Sequence, residues 1–343
     1  MKPIRVLIVE DSPTVQSVLR SILSASADIE IVATASDAFE AKDLIMKMGP
    51  DVITLDIEMP RMDGITFLKR LMAFRAIPVI MISSYTRANS LRTLEALDAG
   101  AVDFVAKPTK DVKTGLQELK YEITAKVRAA ARANMRPRLP FAKPQEPPPM
   151  ARIKSSHKVI VLGASTGGTY AIRRLLGSMP SDVSPIVIVQ HMPSGFTKAF
   201  ATQLNSMLTL QVKEAEDGDR LTRGKVVVAP GGWHLEVAKD SDGYCIRLQD
   251  GRPVNHQRPS VDVCFHSAAK AAGRDAVGVI LTGMGSDGAD GLLAMRQAGA
   301  LTVAQDDTTS LVFGMPLAAI ERGGVEVVAA LENIAGIVLG ALA

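Results

Sequence analysis

The chain has 343 residues, of which 47% are hydrophobic and 22% charged, a composition that excludes a disordered or collagen-like chain and predicts about two globular domains. The net charge is only +3, and the excess lies between two nearly neutral halves, so we expect no nucleic-acid-binding domain. The chain has two cysteines and no apolar run near the ~20 residues of a membrane helix, so we expect a cytoplasmic protein without membrane insertion.

The first 130 residues alternate strand and helix patterns. Five short, apolar, β-rich segments predict strands, at 6–9, 29–34, 51–55, 78–83 and 102–106. Segments of helical periodicity separate them, among them 38–48 and 65–74. Strict alternation of five strands with five helices predicts a doubly wound, flavodoxin-like parallel sheet, in which ligands bind at the carboxyl ends of the strands.

A change of composition predicts the domain boundaries. Residues 131–156 are rich in proline and carry scattered cations without an apolar period, which predicts a basic linker between domains at 1–130 and 157–343. The second domain has predicted strands at 158–165, 185–190, 225–230, 276–282 and 300–305, and helices at 168–177, 197–207, 261–272, 289–298 and 331–341. The segment 211–250 predicts a β-hairpin with an Asp-Gly turn. We therefore expect a doubly wound, mostly parallel α/β sheet with a hairpin addition.

Charged and hydroxyl side chains follow the predicted strands of the first domain. They are Glu10 and Asp11 after the first strand, Asp56 after the third, Ser83 or Ser84 after the fourth, and Lys107 after the fifth. Carboxylates that meet at one sheet edge favour a hard divalent cation, and Mg²⁺ prefers such oxygen ligands. A carboxylate beside that cation can attack phosphorus, and the lysine can hold the phosphoryl oxygens. The alternative is that the carboxylates only cap the following helices.

The motifs VEDSPT, LDIEMPRMDG, ISS and FVAKP make residues 1–130 resemble a response-regulator receiver domain. The resemblance implies that Asp56 accepts phosphate from a partner histidine kinase, and that Glu10 and Asp11 bind Mg²⁺ together with it. It further implies a hydroxyl switch at Ser83, a switch aromatic at Phe104 and a phosphate-sensing lysine at Lys107. The family more often has aspartate at the position of Glu10 and threonine at that of Ser83, so reaction rates could differ.

Two strand ends in the second domain carry candidates for nucleophilic chemistry. Gly163-Ala164-Ser165-Thr166-Gly167 fits G-x-S-x-G between a strand and a helix, where glycines allow the tight turn that exposes a serine. The alternatives are that Ser165 is a helix N-cap or that the turn binds phosphate. His191 ends the next predicted strand and is the best-placed general base. His157, His234, His256 and His266, as well as Cys245 and Cys264, are expected to be solvated or packed.

The segment 279–292 offers a third element, in which Asp287 follows a strand within a glycine-rich turn. A carboxylate there could accept the imidazole N–H, and the backbone amide of Met284 could face an oxyanion. The stretch 283–288 also matches G-x-G-x-x-G, which taken alone predicts a dinucleotide site. That interpretation leaves Ser165 and His191 unexplained, and the motif comes late in its domain.

The motifs GASTGGT, QHMPSGFT, EAEDGD, HQRPSVDVCFHSAAK, ILTGMGSDGADG and FGMP make residues 158–343 resemble the effector domain of the CheB family of chemotaxis protein-glutamate methylesterases. The resemblance implies Ser165 as nucleophile, His191 as base, Asp287 as orienting acid and Met284 as oxyanion donor. It implies a phosphorylation-activated serine hydrolase that demethylates glutamate esters and deamidates glutamines on a methyl-accepting chemoreceptor, giving chemotaxis adaptation.

The same resemblance sets expectations for cofactors and partners. Mg²⁺ serves the receiver, and the esterase reaction needs no cofactor. A histidine kinase is the phosphodonor, the chemoreceptor is the substrate, and the protein is expected to be a monomer. A hypothesis for control is that the receiver covers the cleft until Asp56 is phosphorylated. The alternative function is a phosphorylation-controlled nucleotide- or dinucleotide-binding module without esterase activity.

Overall fold

A computed structural model describes residues 2–84, 87–108, 112–135 and 158–342. The chain divides into two compact units, Met1–Arg138 and Leu139–Ala343, and each is described by itself. Most of the predicted linker, from residue 136 onward, and His157 lie outside the described residues. The boundaries at 130 and 157 therefore stay predictions. None of the helices in the described ranges combines the length and the apolarity needed to cross a bilayer.

The first unit alternates strands and helices. Its elements are β1 (Ile4–Val9), α1 (Pro13–Ser24), β2 (Ile29–Ala35), α2 (Ala38–Met48), β3 (Val52–Asp56), α3 (Gly64–Phe74), β4 (Val79–Ser84), α4 (Arg87–Asp98), β5 (Asp103–Lys107), α5 (Val112–Glu118) and α6 (Lys120–Ala131). The five strands form one parallel sheet in the order β2-β1-β3-β4-β5. The predicted five-stranded parallel fold is confirmed, and its strand ends meet at one edge.

The expectation of five helices in this unit was wrong, because α5 and α6 stand where one helix was expected. They meet at Leu119, whose amide hydrogen-bonds the carbonyl oxygens of both Gly115 and Leu116. This shared bond tightens the turn and separates the two helices. The glycine adds to the effect because it weakens a helix interior.

Polar caps explain where the early helices start. The side chain of Asp37 accepts hydrogen bonds from the amides at the start of α2, and Asp63 does the same for α3. At α1 the cap is Ser12, which accepts from the Val15 amide, and Pro13 occupies the first helical position. Because Ser12 caps this helix, Asp11 is not needed for that purpose.

The second unit is built on a longer sheet. Its elements are β6 (Val159–Ala164), α7 (Gly168–Leu176), β7 (Ile186–Gln190), α8 (Phe196–Met207), β8 (Gln211–Glu214), β9 (Lys225–Val228), β10 (His234–Asp240), β11 (Gly243–Gln249), α9 (Val261–Ala272), a 3₁₀ turn (Gly273–Asp275), β12 (Ala276–Ile280), α10 (Ala289–Gln297), β13 (Leu301–Gln305), α11 (Met315–Glu321), β14 (Val327–Ala329) and α12 (Leu331–Leu342).

Seven strands of this unit form a parallel sheet in the order β14-β13-β12-β6-β7-β9-β8. The strands β10 and β11 pair separately as an antiparallel hairpin. The mostly parallel sheet with an added hairpin is therefore confirmed. Strands β8 and β14 were not predicted, because both are short, lie at the edges of the sheet and contain exposed residues, so they show no continuous apolar run.

The centre of the sheet positions the candidate residues. Strand β6 lies between β12 and β7, and every residue of these three strands is buried. Helices on the two faces of a parallel sheet produce such burial. The residues that follow β6, β7 and β12 consequently come together at one edge.

Candidate active site

Ser165 lies in a tight turn between β6 and α7. Its amide donates a hydrogen bond to the carbonyl oxygen of Thr282 at 3.1 Å, and its carbonyl oxygen accepts one from the Gly168 amide at 2.7 Å. The Gln190 side chain donates a further hydrogen bond to that carbonyl oxygen at 2.9 Å. Gly167 has a φ of 81°, and a Cβ there would lie 2.8 Å from Leu311. Glycine is therefore required, and the half-buried serine is held at the edge of the sheet.

His191 lies one strand away from Ser165. The paired residues Ala164 and Gln190 end β6 and β7, so Ser165 and His191 are the next residue on each of two neighbouring strands. Strands paired in this way run about 5 Å apart. The His191 amide also donates to the carbonyl oxygen of Ala164 at 3.0 Å.

The imidazole of His191 bonds to Asp287. Its Nε2 lies 2.7 Å from Asp287 Oδ2, and both side chains are almost completely buried. The other ring nitrogen, Nδ1, is buried and has no hydrogen-bond partner among the described residues. One ring nitrogen is therefore committed to the carboxylate, and the second is available for a reacting group.

Asp287 is held by donors on both of its oxygens. Oδ2 accepts from the Val261 amide at 2.7 Å as well as from His191, and Oδ1 accepts from Ser260 Oγ at 2.7 Å and from Asn255 Nδ2 at 3.0 Å. Burial by itself would raise the pKa of Asp287, but the bonds to His191, Asn255 and Ser260 outweigh it and lower the pKa to about 2. The group is therefore a carboxylate at neutral pH.

The turn that carries Met284 packs directly on Ser165. A Cβ added to Gly283 would lie 2.8 Å from Ser165 Cβ and 3.0 Å from the Ser165 amide nitrogen. The carbonyl oxygen of Gly283 accepts from the amides of Gly314 and Met315, which holds the turn in place. Within the described ranges the Met284 amide makes no hydrogen bond. Met284, the predicted oxyanion donor, thus directly follows Gly283, which is in close contact with Ser165.

The remaining histidines and cysteines of the second unit lie in different surroundings. His234 is buried, with its Nε2 2.9 Å from the carbonyl oxygen of Arg252, whereas His256 and His266 are exposed. Cys264 is fully buried, and burial raises the pKa of its thiol, so it is no nucleophile at neutral pH. Cys245 is also buried.

The first unit brings together the predicted acidic residues and the lysine. Lys107 Nζ lies 2.8 Å from Asp56 Oδ2 and 2.8 Å from Glu10 Oε2, and all three side chains are buried. Burial is the largest cause of a raised pKa at Glu10, the charge of Asp56 adds to it, and the result is about 7. Burial also raises the pKa of Asp56, against the opposing effect of Lys107. Two carboxylates share one cation here and would gain from a second.

Asp11 completes an acidic cluster with Glu10 and Asp56. Oxygen atoms of the three carboxylates lie within 4.8 Å of one another, and Asp11 is exposed while the other two are buried. Three hard oxygen donors that open on one side to solvent fit a small divalent cation that keeps part of its water shell. The cluster consists of the three residues predicted as Mg²⁺ ligands, and their role as ligands stays a prediction.

The predicted switch residues of the first unit are buried. Ser83 accepts a hydrogen bond from Thr93 Oγ1 at 2.9 Å, whereas Ser84 Oγ lies 3.5 Å from Glu58 Oε2. Phe104 lies inside the fold, and Lys126 Nζ is 5.2 Å from the centre of its ring. The structure therefore links Ser83 to α4 through Thr93.

Sequence reasoning missed the partners of these residues. Asn255, Ser260 and Asp262 surround Asp287, and Thr93 holds Ser83. A sequence signal was present for the first three, because the polar segment 250–260 is long for a connection between a strand and a helix, and the helix that follows has an aspartate in its first turn. Thr93 gave no such signal.

Known proteins resemble this chain in both of its units. The CheB methylesterase family model matches residues 160–338, and the response regulator receiver domain model matches residues 6–117. A protein from Chromohalobacter salexigens named protein-glutamate methylesterase/protein-glutamine glutaminase is 51% identical over 97% of this chain and 93% of its own length. A protein of the same name from Salmonella typhimurium is 51% identical over 97% of this chain and 95% of its own length.

A solved structure resembles the second unit. The Thermotoga maritima CheB methylesterase catalytic domain is 38% identical, and the match covers 53% of this chain and 97% of that one with a TM-score of 0.52. The whole-length relatives and the two matched domains agree with each other. The chain therefore belongs to the CheB methylesterase family and carries a response regulator receiver domain ahead of its methylesterase domain.

Proposed function

We propose that the protein is a phosphorylation-activated protein-glutamate methylesterase and protein-glutamine glutaminase. The observation that carries the proposal is the buried 2.7 Å bond between His191 and Asp287, which follow the two strands on either side of β6, the strand that leads to Ser165. The names of relatives that are about half identical over nearly the whole chain support the same activity.

In the acylation step Ser165 Oγ attacks the γ-carbonyl carbon of a methylated glutamate. His191 takes the hydroxyl proton on Nδ1, because Nε2 is bonded to Asp287. The carbonyl π electrons move onto oxygen, which the Met284 amide stabilises. The C–O bond then breaks, and His191 protonates the departing methanol.

Hydrolysis of the acyl-enzyme reverses the roles. Water attacks the acyl carbon as His191 accepts one of its protons, and Ser165 leaves with that proton, which gives glutamate. A glutamine substrate forms the same acyl-enzyme, with ammonia as the leaving group. The esterase steps use only side chains and amides of this chain, so the reaction requires no cofactor.

The first unit serves as the control domain in this proposal. Glu10, Asp11 and Asp56 would hold Mg²⁺, which when bound neutralises charge between the carboxylates and the incoming phosphoryl group. Asp56 Oδ attacks the phosphorus atom of a kinase phosphohistidine, the P–N bond breaks, and the kinase imidazole leaves as Asp56 becomes an aspartyl phosphate. Lys107, already in contact with Asp56, binds the phosphoryl oxygens, and Ser83 responds to them as the switch hydroxyl together with Phe104.

The partners follow from these reactions. The phosphodonor is a histidine kinase, and the substrate is the methylated segment of a methyl-accepting chemoreceptor. Both partners support a cytoplasmic protein. We expect a monomer, since each site is assembled from residues of one chain.

The test is the release of methanol from methylated receptor by the wild type, by Ser165→Ala and by Ser178→Ala. Ser178 is an exposed serine that follows α7 and serves as the control. We expect Ser165→Ala to lose at least about 10⁴-fold in kcat, as removal of a serine nucleophile does, and Ser178→Ala to match the wild type. Full activity of Ser165→Ala would show that Ser165 is not the nucleophile. If the wild type released no methanol but bound a nucleotide, the proposed esterase activity would be excluded in favour of the nucleotide-binding alternative.

A further inference from the structure

Two buried carboxylates lie side by side at the candidate active site. Asp287 is 2% exposed and Asp262 is 5% exposed, and the Asp262 amide lies 3.3 Å from Asp287 Oδ1. Like charges in a buried site repel each other and favour separation or protonation. The arrangement therefore needs a group that holds both carboxylates in place.

Asp262 is the anchored member of this pair. It lies in the first turn of α9, and its Oδ1 accepts a hydrogen bond from the Gly291 amide at 2.7 Å. A carboxylate in the first turn of a helix is favoured by the helix dipole. In the part of the chain that the structure describes, Asp262 makes no hydrogen bond with His191, and it is joined to Asp287 through its own amide and through Asn255.

Asn255 connects the two carboxylates. Its Nδ2 lies 2.7 Å from Asp262 Oδ2 and 3.0 Å from Asp287 Oδ1. A carboxamide nitrogen has two hydrogens, so one N–H is available for each carboxylate. The residue lies in the loop between β11 and α9 and is exposed, although its amide reaches the buried pair.

The backbone of Asn255 suits this task. Its φ is 51°, in the left-handed region that asparagine and glycine tolerate better than other residues. The next residue, His256, has a φ of 62° and is also exposed. The turn therefore aims the short side chain of Asn255 inward.

We propose that Asn255 is a positioning residue for catalysis, which orients Asp287 toward His191 by tying it to Asp262. The inference rests on the proposed esterase function. With Asn255 in place, Asp287 Oδ1 is held by an amide and a hydroxyl while Oδ2 faces the imidazole. Without it, Asp262 repels Asp287 with no bridging donor between them, and the carboxylate can rotate away from His191.

Two substitutions in the full chain separate this role from support of the turn. Asn255→Gly removes the amide and keeps the positive φ unstrained, so the loop can retain its path. Asn255→Asp keeps the shape and the tolerance of positive φ, but it replaces the N–H donor with a third carboxylate. His256→Gly, at the neighbouring position of the same turn, is the control.

We expect Asn255→Gly to lower kcat for methanol release by about 10- to 100-fold. Losses of this size are typical when a residue that hydrogen-bonds and orients a functional side chain is removed. KM should stay within about twofold, because the residue acts on Asp287 and not on the substrate. Asn255→Asp should lose at least as much, whereas a residue that only shaped the turn would tolerate aspartate. His256→Gly should match the wild type.

A kcat within about twofold of wild type for both Asn255 variants would overturn the inference, as would a rise in KM with kcat unchanged. Thermal unfolding followed by the fluorescence of Trp233, the one tryptophan of the chain, verifies that the second unit is folded in each variant. A wild type without methanol release would instead refute the proposed function, so the two failures are distinguishable.

Discussion

His191 Nε2 lies 2.7 Å from Asp287 Oδ2, although the two residues are 96 positions apart in the chain. His191 follows β7 and Asp287 follows β12, and these two strands flank β6. Ser165 follows β6, so the imidazole and the carboxylate come from the strands on either side of the candidate nucleophile. This geometry makes the role of each residue testable.

Replacing the carboxylate should remove most of the esterase activity. In Asp287→Asn the side chain can donate to His191 and so favour the wrong tautomer, which lowers kcat by about 10⁴-fold in comparable triads. The measurement is steady-state methanol release from methylated receptor. Asp290→Asn is the control, because Asp290 is exposed and pairs with Arg322. Equal rates for the two variants would contradict the orienting role of Asp287.

The low pKa of Asp287 predicts how stability depends on pH. Its pKa is about 2 in the folded protein against an ordinary 3.8, so the folded state favours the carboxylate. The stabilisation is fully present above the unfolded pKa and is lost as the pH falls toward the folded one. It amounts to about 2 kcal/mol, since one pKa unit is worth about 1.4 kcal/mol.

The measurement for this second prediction is denaturant unfolding followed by Trp233 fluorescence, which reports on the second unit. The wild type and Asp287→Asn differ in their free energy of unfolding. This difference should shrink by most of the roughly 2 kcal/mol as the pH falls from about 5 to about 2. A difference that is constant over this range would show that the carboxylate titrates normally.

Gly283 should tolerate no side chain. A Cβ there would lie 2.3 Å from Met315 Sδ and 2.8 Å from Ser165 Cβ, so Gly283→Ala must displace the serine turn. We expect a loss of about 1–3 kcal/mol in stability, as for other overpacked positions, together with a fall in kcat.

The control for Gly283→Ala is Gly336→Ala in the interior of α12, where an added Cβ meets nothing within 4 Å. This substitution should raise stability by about 0.5–1 kcal/mol and leave kcat unchanged, because alanine favours a helix interior. If Gly283→Ala behaved like Gly336→Ala in both measurements, the close approach to Ser165 would have no consequence.

Phosphorylation should depend on Asp56. Asp56→Asn removes the attacking oxygen, so we expect no phosphate incorporation from a phosphodonor in Mg²⁺ and no phosphodonor-dependent rise in methanol release. Asp51→Asn is the control, since Asp51 is exposed and precedes the same strand. Incorporation of phosphate into Asp56→Asn at the rate of wild type would place the acceptor elsewhere.

The strand ends could be predicted from the sequence because apolar runs of β-rich residues mark buried parallel strands. Ser165, His191 and Asp56 each end or follow such a run, and the parallel topology brings their strand ends to one edge of each sheet. The same reasoning placed Glu10 and Lys107 beside Asp56, where ion pairs now join them.

The edges of the second sheet could not be predicted, because β8 and β14 are short and half-exposed and therefore lack a continuous apolar run. The break between α5 and α6 could not be predicted either. It occurs at Leu119, whose amide bonds the carbonyl oxygens of both Gly115 and Leu116, and helical periodicity does not reveal such a shared bond.

Local patterns of apolar and turn residues are enough to predict the fold class and the strand-end positions of the candidate residues, and the family motifs can be read directly along the chain. The contacts between individual atoms became known from the three-dimensional structure. It showed that His191 uses Nε2 toward Asp287, that Thr93 bonds to Ser83, and that Asn255 joins two buried carboxylates. Such bonds depend on the path of loops and on burial, which residue spacing along the chain does not specify.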